Sequence, residues 1–419
     1  MKPEKTKAIL IDVIDKETPR EEAEKRLNEL ENLVNTYGGI VVVKTIQRRG
    51  TPDYDTYIGK GKVEEIFEMG KTHDAKILIV NNILKPKQIY NLLEILRKAE
   101  MEAWDRIDLI LKIFDKHAQS TEAKLQIELA GIRHMGPRIF GMGMELSRQS
   151  GAKGLRAGAG EANIEIMKRH LQSQELSIMK KLKHYELINS HHRERRRRLN
   201  LQTAALVGYT NAGKSSILNA LTNKGAYVAD KLFATLDTRV GKLYIAPQSY
   251  PDNGEYVKGR ELLISDTIGF IRNLPPSLIQ AFKSTLAETI ESDMILHVID
   301  ITDPEIHMKI KVVEEILDQI GLHDKPKIYV FNKIDLLPAV SIRREVTPVV
   351  PTRSLLPAGS GTAKLLGWET PAPKKHKPAE NPKILKRKYK DFMPAFVSAN
   401  EKLNLEELIK KIEINLGKL

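Results

Sequence analysis

The fold is decided by a stretch of eight residues that reads Gly208-Tyr209-Thr210-Asn211-Ala212-Gly213-Lys214-Ser215. It matches the pattern of a phosphate-binding loop, in which glycines allow backbone N–H groups to wrap a phosphate. The apolar run 204–207 precedes it and a helix-like stretch begins near Ser215, so the loop connects a strand to a helix N-terminus, whose dipole favours phosphate. We therefore expect Lys214 to contact the β- and γ-phosphates of a nucleotide and the Ser215 hydroxyl to bind Mg²⁺.

Two tetrapeptides farther along the chain each follow an apolar, strand-like run. The first is Asp266-Thr267-Ile268-Gly269, whose aspartate is expected to hold Mg²⁺ through a water molecule. The second is Asn332-Lys333-Ile334-Asp335. Asp335 can accept hydrogen bonds from both N1–H and the exocyclic amino group of guanine, whereas adenine offers no matching pair of donors. Three such motifs in this order predict a site for GTP and GDP rather than ATP.

The other predicted nucleotide contacts lie in two less specific segments. Ser398-Ala399-Asn400 resembles the segment that contacts O6 of guanine in small GTPases, although Lys or Leu is more usual in place of Asn400. The candidate first switch is Phe233-Ala234-Thr235-Leu236-Asp237. Thr235 would bind Mg²⁺ and sense the γ-phosphate, with Thr238 as the competing candidate.

Catalytic residues are not assigned by the sequence beyond two switch contacts, Thr235 and Gly269. Many GTPases carry Gln directly after the Asp-x-x-Gly motif, but here Phe270 stands in that place and cannot orient water by hydrogen bonding. We therefore expect slow intrinsic hydrolysis that a partner accelerates. Asn211 has two interpretations that stay open: it either helps to bind K⁺ near the phosphates or makes an ordinary hydrogen bond within the loop.

Composition limits the class of protein. The chain has 419 residues and no cysteine, which predicts two or three domains and excludes a disulfide scaffold, a Cys-ligated metal site and a thiol nucleophile. Neither a secretory leader nor an apolar run of membrane-spanning length is evident, so a cytoplasmic protein is expected. The net charge is +13, and residues 339–390 hold 12 Lys and Arg against 3 Asp and Glu. This clustering favours a polyanionic partner over a uniformly basic surface.

The same pass along the chain predicts three regions. Residues 1–104 alternate strand-like and helix-like stretches, which indicates a small α/β domain. Residues 105–199 predict a long helical hairpin whose connecting loop, 136–160, holds seven glycines and four basic residues. Composition alone favours a disordered connector for this loop. Residues 200–419 predict an α/β nucleotide domain with a mostly parallel sheet, interrupted by a disordered basic insertion at 339–390.

The chain resembles the HflX family of ribosome-associated GTPases, within the Obg–HflX group. The stretches that carry the resemblance are Leu232 to Asp237, Tyr57 to Glu65, Asp105-Arg106, Leu125 to Leu129 and Leu146 to Gln149. The resemblance implies a Ras-like G domain and a monomeric G protein that binds the large ribosomal subunit and helps to split or rescue stalled ribosomes. It also implies that the glycine-rich loop approaches ribosomal RNA, whereas DNA and membranes are not expected partners.

Three alternatives stay open from the residues alone. Arg195 to Arg198 either contact RNA or form a solvated helix end. Gly59-Lys60-Gly61-Lys62 either holds phosphate or is an exposed turn that starts a helix. The alternative function is a GTP-regulated RNA-binding or ribosome-assembly factor whose N-terminal domain binds ATP, and a GTP-regulated module on a membrane or protein partner is a third hypothesis.

Overall fold

The computed structural model describes residues 5–149, 157–199, 201–222, 239–245, 248–250, 255–257, 259–267, 269–272, 278, 283–337 and 381–417. Four strands form a parallel sheet in the N-terminal region: β1 (Lys7–Ile14), β2 (Ile40–Arg48), β3 (Ile77–Val80) and β4 (Glu102–Asp105). Their order across the sheet is β2–β1–β3–β4. The helices of this region are α1 (Arg20–Tyr37), α2 (Lys60–His73), α3 (Pro86–Leu96) and α4 (Arg106–His117). The central strands β1 and β3 are almost entirely buried, because helices cover both faces of the sheet.

The α/β region extends farther along the chain than its composition predicts. The predicted hairpin begins at residue 105, whereas β4 ends there and α4 follows it directly. Asp105 caps α4, because its carboxylate accepts a hydrogen bond from the Asp108 backbone N–H (2.9 Å) and the Asp108 carboxylate accepts one from the Asp105 N–H (3.0 Å). The α4 side chains Ile110 and Phe114 are fully buried in the core beside β1. We propose that the N-terminal domain includes α4 and ends near residue 117.

The turn Gly59-Lys60-Gly61-Lys62 starts a helix. Gly59 is the N-cap of α2, and its backbone N–H donates to Gln47 Oε1 at 2.9 Å. The Lys62 ammonium lies 2.8 Å from a carboxylate oxygen of Glu65, one turn farther along α2. These contacts agree with the second of the two interpretations of this segment.

A helical hairpin follows, as the sequence predicts. It consists of α5 (Thr121–Gln149) and α6 (Ala157–Arg198). Leu125 and Leu129 of α5 pack against Ile178 of α6, and Arg133 Nε lies 2.8 Å from Glu175 Oε1. The two helices are therefore held together by an apolar seam and by an ion pair between them.

The predicted connecting loop, 136–160, is helical for most of its length. Helix α5 continues to Gln149 and α6 begins at Ala157, while residues 150–156 lie outside the described part of the chain. A glycine costs only about 1 kcal/mol relative to alanine inside a helix. A glycine-rich composition therefore lowers the helix propensity of a segment without excluding a helix.

The C-terminal region contains a six-stranded sheet with one antiparallel edge. In chain order its elements are β5 (Gln202–Val207), α7 (Lys214–Leu221), β6 (Arg239–Ile245), β7 (Gln248–Tyr250), β8 (Glu255–Val257), β9 (Arg260–Asp266), α8 (Lys283–Glu291), β10 (Met294–Asp300), α9 (Ile306–Gln319), β11 (Lys327–Asn332), α10 (Pro382–Lys388), β12 (Ala395–Phe396) and α11 (Leu405–Leu416). The sheet order is β12–β11–β10–β5–β9–β6, in which only β6 is antiparallel, and β7 pairs with β8 separately. This confirms the predicted α/β class with a mostly parallel sheet.

The predicted insertion, 339–390, ends in ordered structure. Residues 382–388 form α10, and a short 3₁₀ helix, Lys390–Phe392, follows it. Leu385 is fully buried, and the ring of Tyr389 lies 6.0 Å from that of Phe331 on β11. These two apolar side chains, four residues apart, anchor the helix, and residues 338–380 lie outside the described residues.

Among the described helices, none combines the length and the apolar character that crossing a bilayer requires.

The capping of α4 predicts a measurable contribution to stability. Asp105→Ala should lower the free energy of unfolding by at least about 0.5–2 kcal/mol, because the Asp108 N–H loses its acceptor, and the Leu84 N–H and the His134 ring lose theirs as well. Asp115→Ala is the matched control, since Asp115 is exposed on the same helix and an exposed substitution should change stability by no more than about 0.5 kcal/mol. Urea unfolding followed by circular dichroism compares the two. Equal midpoints would contradict the capping role.

Candidate nucleotide-binding site

The loop after β5 has a backbone that only glycine can form at two of its positions. Gly208 and Gly213 have φ angles of 152° and 93°. A Cβ atom at Gly208 would lie 2.2 Å from the Val298 carbonyl oxygen, and one at Gly213 would lie 2.2 Å from Asn332 Nδ2. Asn211 is also left-handed, with φ at 62°. The loop is thus packed between β10 and the end of β11, and it leads into the N-terminus of α7.

The Lys214 side chain is buried against its own loop. Its ammonium donates to the carbonyl oxygens of Gly208 (3.2 Å) and Tyr209 (3.1 Å). Burial lowers the pKa of Lys214 to about 8, and the nearby charge of Asp266 opposes that shift. An anionic group beside Lys214 would favour its charged form, so the position is electrostatically suited to a phosphate.

The pairing of β5 with β9 brings the first two motifs together. Leu206 stands opposite Asp266 in the parallel register, and the Thr267 hydroxyl donates to the Leu206 carbonyl at 2.7 Å. The Ser215 hydroxyl donates to Asp266 Oδ2 at 2.5 Å. Two oxygen ligands are therefore adjacent at the start of α7. Oxygen ligands of this kind are the ones that Mg²⁺ prefers.

The residues after Asp266 lie against the phosphate loop. A Cβ atom on Gly269 would lie 2.8 Å from Thr210 Cγ2 and 3.0 Å from the Lys214 ammonium nitrogen. The Phe270 N–H donates to the Gly208 carbonyl at 3.1 Å, and its carbonyl accepts from the Thr210 N–H at 2.9 Å. The Phe270 side chain is fully buried. Hence the side chain of the residue after the motif belongs to the core and offers no polar group.

The third and fourth motifs meet at the Asn332 side chain. Its amide donates to the Ala212 carbonyl at 3.0 Å, and its Oδ1 accepts from the Ala399 N–H at 3.1 Å. Asn332 therefore holds three loops together: the phosphate loop, the loop after β11 and the loop after β12. Asp335 lies nearby in a 3₁₀ turn and is half-buried.

The remaining base-side residues have separate contacts. The Lys333 ammonium, on a left-handed residue with φ at 69°, lies 2.7 Å from Asp300 Oδ2. Ser398 is buried and its hydroxyl accepts from the Glu401 N–H at 3.0 Å, whereas Asn400 is exposed. The structure thus brings together the predicted residues of four segments. The fifth segment, Phe233 to Asp237, lies outside the described residues, as do Thr238 and Ile268.

A polar network that the motifs do not reveal connects this site to the N-terminal domain. The Tyr209 hydroxyl donates to Glu29 Oε1 of α1 at 2.7 Å, and Arg106 Nη2 donates to the same oxygen at 3.0 Å. The peptide group of Arg272 is held on both sides: its N–H donates to the Tyr209 hydroxyl (2.8 Å), and its carbonyl accepts from Arg106 Nη2 (3.1 Å). Burial, reinforced by the Glu29 carboxylate, raises the pKa of Tyr209 well above its usual range.

The sequence predicts Tyr209 only as a residue of the phosphate-binding loop and identifies Arg106 only through the family resemblance. The polar pair Asp105-Arg106 at a strand end is the one local signal for this network. Glu29 gives none, because it looks like any other acid on an amphipathic helix.

Loss of the Tyr209 hydroxyl should therefore destabilise the protein. Tyr209→Phe leaves the Arg272 N–H without its acceptor and Glu29 without one donor, so the free energy of unfolding should fall by about 1–3 kcal/mol. Tyr244→Phe is the control, because the Tyr244 side chain is 65% exposed on β6. Urea unfolding followed by far-ultraviolet circular dichroism measures the stability of both variants. Equal stability of the two would contradict this role of the hydroxyl.

This chain matches family models along most of its length. Three family models match consecutive parts of the chain: "GTP-binding GTPase N-terminal" over residues 24–115, "GTP-binding GTPase Middle Region" over 117–196 and "50S ribosome-binding GTPase" over 203–333. Among solved structures, a GTP-binding protein from the hyperthermophilic archaeon Sulfolobus solfataricus in complex with GDP is 24% identical, with 99% of each chain covered and a TM-score of 0.45.

Curated relatives are considerably more similar in sequence. GTPase HflX of Caldanaerobacter subterraneus is 44% identical over 80% of this chain and 74% of its own, and that of Lacrimispora saccharolytica is 41% identical over 83% and 78%. GTPase HflX of Escherichia coli is 39% identical over 74% of this chain and 70% of its own. The family suggested by the sequence motifs is thereby confirmed, and this chain belongs to the GTPase HflX family.

Proposed function

We propose that this GTPase acts as a nucleotide-controlled switch on the large ribosomal subunit, where it splits or rescues stalled ribosomes. The observation that carries the proposal is the match of residues 203–333 to the ribosome-binding GTPase model, on a domain whose phosphate loop is preformed. The basic character of the chain, with a net charge of +13, supports an RNA-rich partner.

The nucleotide is proposed to bind across the carboxyl ends of the parallel strands. Lys214 and the backbone of the phosphate loop would hold its phosphates. Ser215 and Asp266 would hold Mg²⁺, together with Thr235, and this ion would neutralise charge on the β- and γ-phosphates when bound. The fit rests on the adjacent hydroxyl and carboxylate oxygens of Ser215 and Asp266.

The base is proposed to bind beside Asp335. The Asp335 carboxylate would accept hydrogen bonds from the two guanine donors. Asn332 would hold the neighbouring loops in place, and the loop at Ser398-Ala399-Asn400 would face O6 of the base. Because Asn332 already bonds to Ala212 and Ala399, its role here is to position the loops rather than to read the base.

Hydrolysis is proposed to depend on the ribosome. Phe270 is buried and both polar atoms of its backbone bond to the phosphate loop, so this residue cannot orient the attacking water. The activating contribution would come from the ribosome, acting on the switch contacts Thr235 and Gly269 or supplying a group of its own. Asn211, held in the left-handed conformation within the loop, would help to bind K⁺ beside the phosphates.

The hairpin is proposed to grip the ribosome. Helix α6 has 42 residues and spans about 63 Å at 1.5 Å per residue. Such a thin projection can enter a cavity in folded RNA that a bulky domain cannot enter. The basic residues near its tip would contact RNA phosphates: Arg138, Arg148, Lys153 and Arg156.

Base recognition is tested by Asp335→Asn. The variant loses a charged hydrogen bond to guanine worth about 1.5–3 kcal/mol, so GTP affinity should fall roughly tenfold or more. The amide of Asn pairs with the C2 carbonyl of xanthine, so XTP should bind better than GTP. Asp324→Asn makes the same charge change at an exposed position in the same domain and should leave both affinities unaltered. Titration with fluorescent GTP and XTP measures them. Unchanged GTP affinity in the Asp335 variant would remove Asp335 from the base site.

The ribosomal role is tested by shortening the hairpin. Replacing residues 141–158 with a brief Gly-Ser turn should spare GTP binding but abolish ribosome splitting and lower ribosome-stimulated hydrolysis. The comparison variant lacks residues 339–380, which hold 7 Lys and Arg against 3 Asp and Glu, and it should weaken RNA association mainly by reducing its salt dependence. Co-sedimentation with ribosomal subunits in GTP-analogue, GDP and nucleotide-free states follows binding. Normal splitting by the shortened protein would contradict the proposed grip.

A further inference from the structure

The arginine run at the end of α6 is divided between two faces of the helix. Arg193 and Arg196 face the C-terminal region, and the Arg196 side chain is only 19% exposed. Arg197 and Arg198 are 75% and 76% exposed, and Arg195 is exposed as well. The run is therefore neither a uniformly solvated helix end nor a uniform surface for RNA.

The inward-facing arginines bind acids on α8. The two terminal nitrogens of Arg196 donate to the two carboxylate oxygens of Glu288, at 2.9 and 2.7 Å. Arg193 Nε lies 2.6 Å from Glu291 Oε2. Both pairs are spaced by three residues on each helix, so a single face of α6 lies against a single face of α8. The forked geometry of Arg196 with Glu288 is the strongest form of this contact.

Helix α8 lies beside β5, the strand that leads into the phosphate loop. Its Leu286 is buried in the same apolar cluster as Phe270 and Ile271. At its C-terminal end, the Lys325 ammonium donates to the Ile290 carbonyl at 2.6 Å. A displacement of α8 would therefore act on β5 and on the apolar cluster that contains Phe270 and Ile271.

Helix α6 is also joined closely to the strand that leads into the phosphate loop. Only residues 199–201 separate the end of α6 from β5, and the Leu201 N–H donates to the Arg196 carbonyl at 3.1 Å. One end of a helix about 63 Å long is thus joined to the strand before the phosphate loop and, through the arginine pairs, to α8. A small rotation at this end corresponds to a large displacement at the hairpin tip.

We propose that Arg193 and Arg196 are positioning residues that couple the hairpin to GTP hydrolysis by holding α8, and that they do not contact RNA. The proposal rests on the proposed function insofar as the ribosome is what displaces the hairpin tip. Because the Arg196 guanidinium is already matched by a carboxylate in a forked pair, binding it to an RNA phosphate would require giving up that pair. Among the described residues, the exposed arginines lack a close pair with α8. Arg197 approaches Glu291 at a longer distance of 3.7 Å, and the other two are Arg195 and Arg198.

A charge-exchange experiment tests the coupling. The variants are Arg196→Glu, Glu288→Arg and the double exchange, with Glu288→Gln as a milder variant if a reversed charge impairs folding. Each single reversal should reduce the stimulation of kcat by large ribosomal subunits about tenfold, without changing the subunit concentration at half-stimulation, and the double exchange should restore most of it. Arg195→Glu, an equal charge change on the exposed face, is the matched control and should keep full stimulation.

An RNA contact would give a different result. Arg196→Glu would then raise the half-stimulating subunit concentration, and Glu288→Arg in the same chain would not restore it. That outcome, or wild-type stimulation in both Arg196→Glu and Glu288→Gln, would overturn the proposal.

A second measurement needs no ribosome and separates this proposal from the proposed function. The dissociation rate of fluorescent GDP from the free protein should increase in each single reversal and return toward the wild-type rate in the double exchange. If subunits fail to stimulate the wild-type protein, the proposed function fails, yet this cycle still decides whether α6 is linked to the nucleotide site. Additive effects of the two reversals on the dissociation rate would overturn the link.

Discussion

The Glu29 carboxylate is the point on which the arrangement of the nucleotide loops depends. It accepts hydrogen bonds from Tyr209 in the phosphate loop and from Arg106 at the start of α4, and those two side chains together hold the Arg272 peptide group. A carboxylate that is largely removed from water must be matched in this way, because leaving one partner of a buried pair uncompensated costs several kcal/mol. The phosphate loop and the segment after Gly269 are thus positioned by the N-terminal domain as well as by their own sheet.

The contact of the N-terminal domain with the phosphate loop buries the polar groups of the nucleotide site. The apolar cluster that contains Leu30 and Phe114 of the N-terminal domain continues through Tyr209 to Phe270. Next to Tyr209 and Gly269, Lys214 is buried, and this burial lowers its pKa to about 8 and disfavours its charged form until an anion lies beside it. The chain therefore holds a phosphate-binding loop whose electrostatic cost is offset by the ligand that we propose it binds.

The sequence predicted the class of fold and the strand ends that meet at the site, because each depends on local patterns. Glycine at 208 and 213 and the apolar runs before each motif report backbone geometry and burial within a few residues. The contacts that it did not predict join residues far apart in the chain: Arg196 with Glu288, 92 positions away, and Arg106 with Arg272, 166 positions away. The start of α4 is a different case. The Asp105 and Asp108 residues have the spacing of a capping pair in the sequence, but this spacing indicates a helix start only once β4 is known to end at Asp105.

Two polar connections between the G domain and the rest of the described chain differ in strength, and this difference bears on which of them can move. The Glu29 network is buried and shares donors and acceptors among four residues, so breaking it costs about 3–5 kcal/mol. The Arg196–Glu288 pair is partly exposed and lies at the edge of a helix contact, where an ion pair contributes nearer to 1 kcal/mol. A force applied at the hairpin tip would accordingly shift α6 relative to α8 before it separates α1 from the phosphate loop. Helix α5 packs on α3 and α4, so the hairpin and the N-terminal domain are joined, and the arginine pairs are the contact through which we propose that a movement of α6 reaches α8.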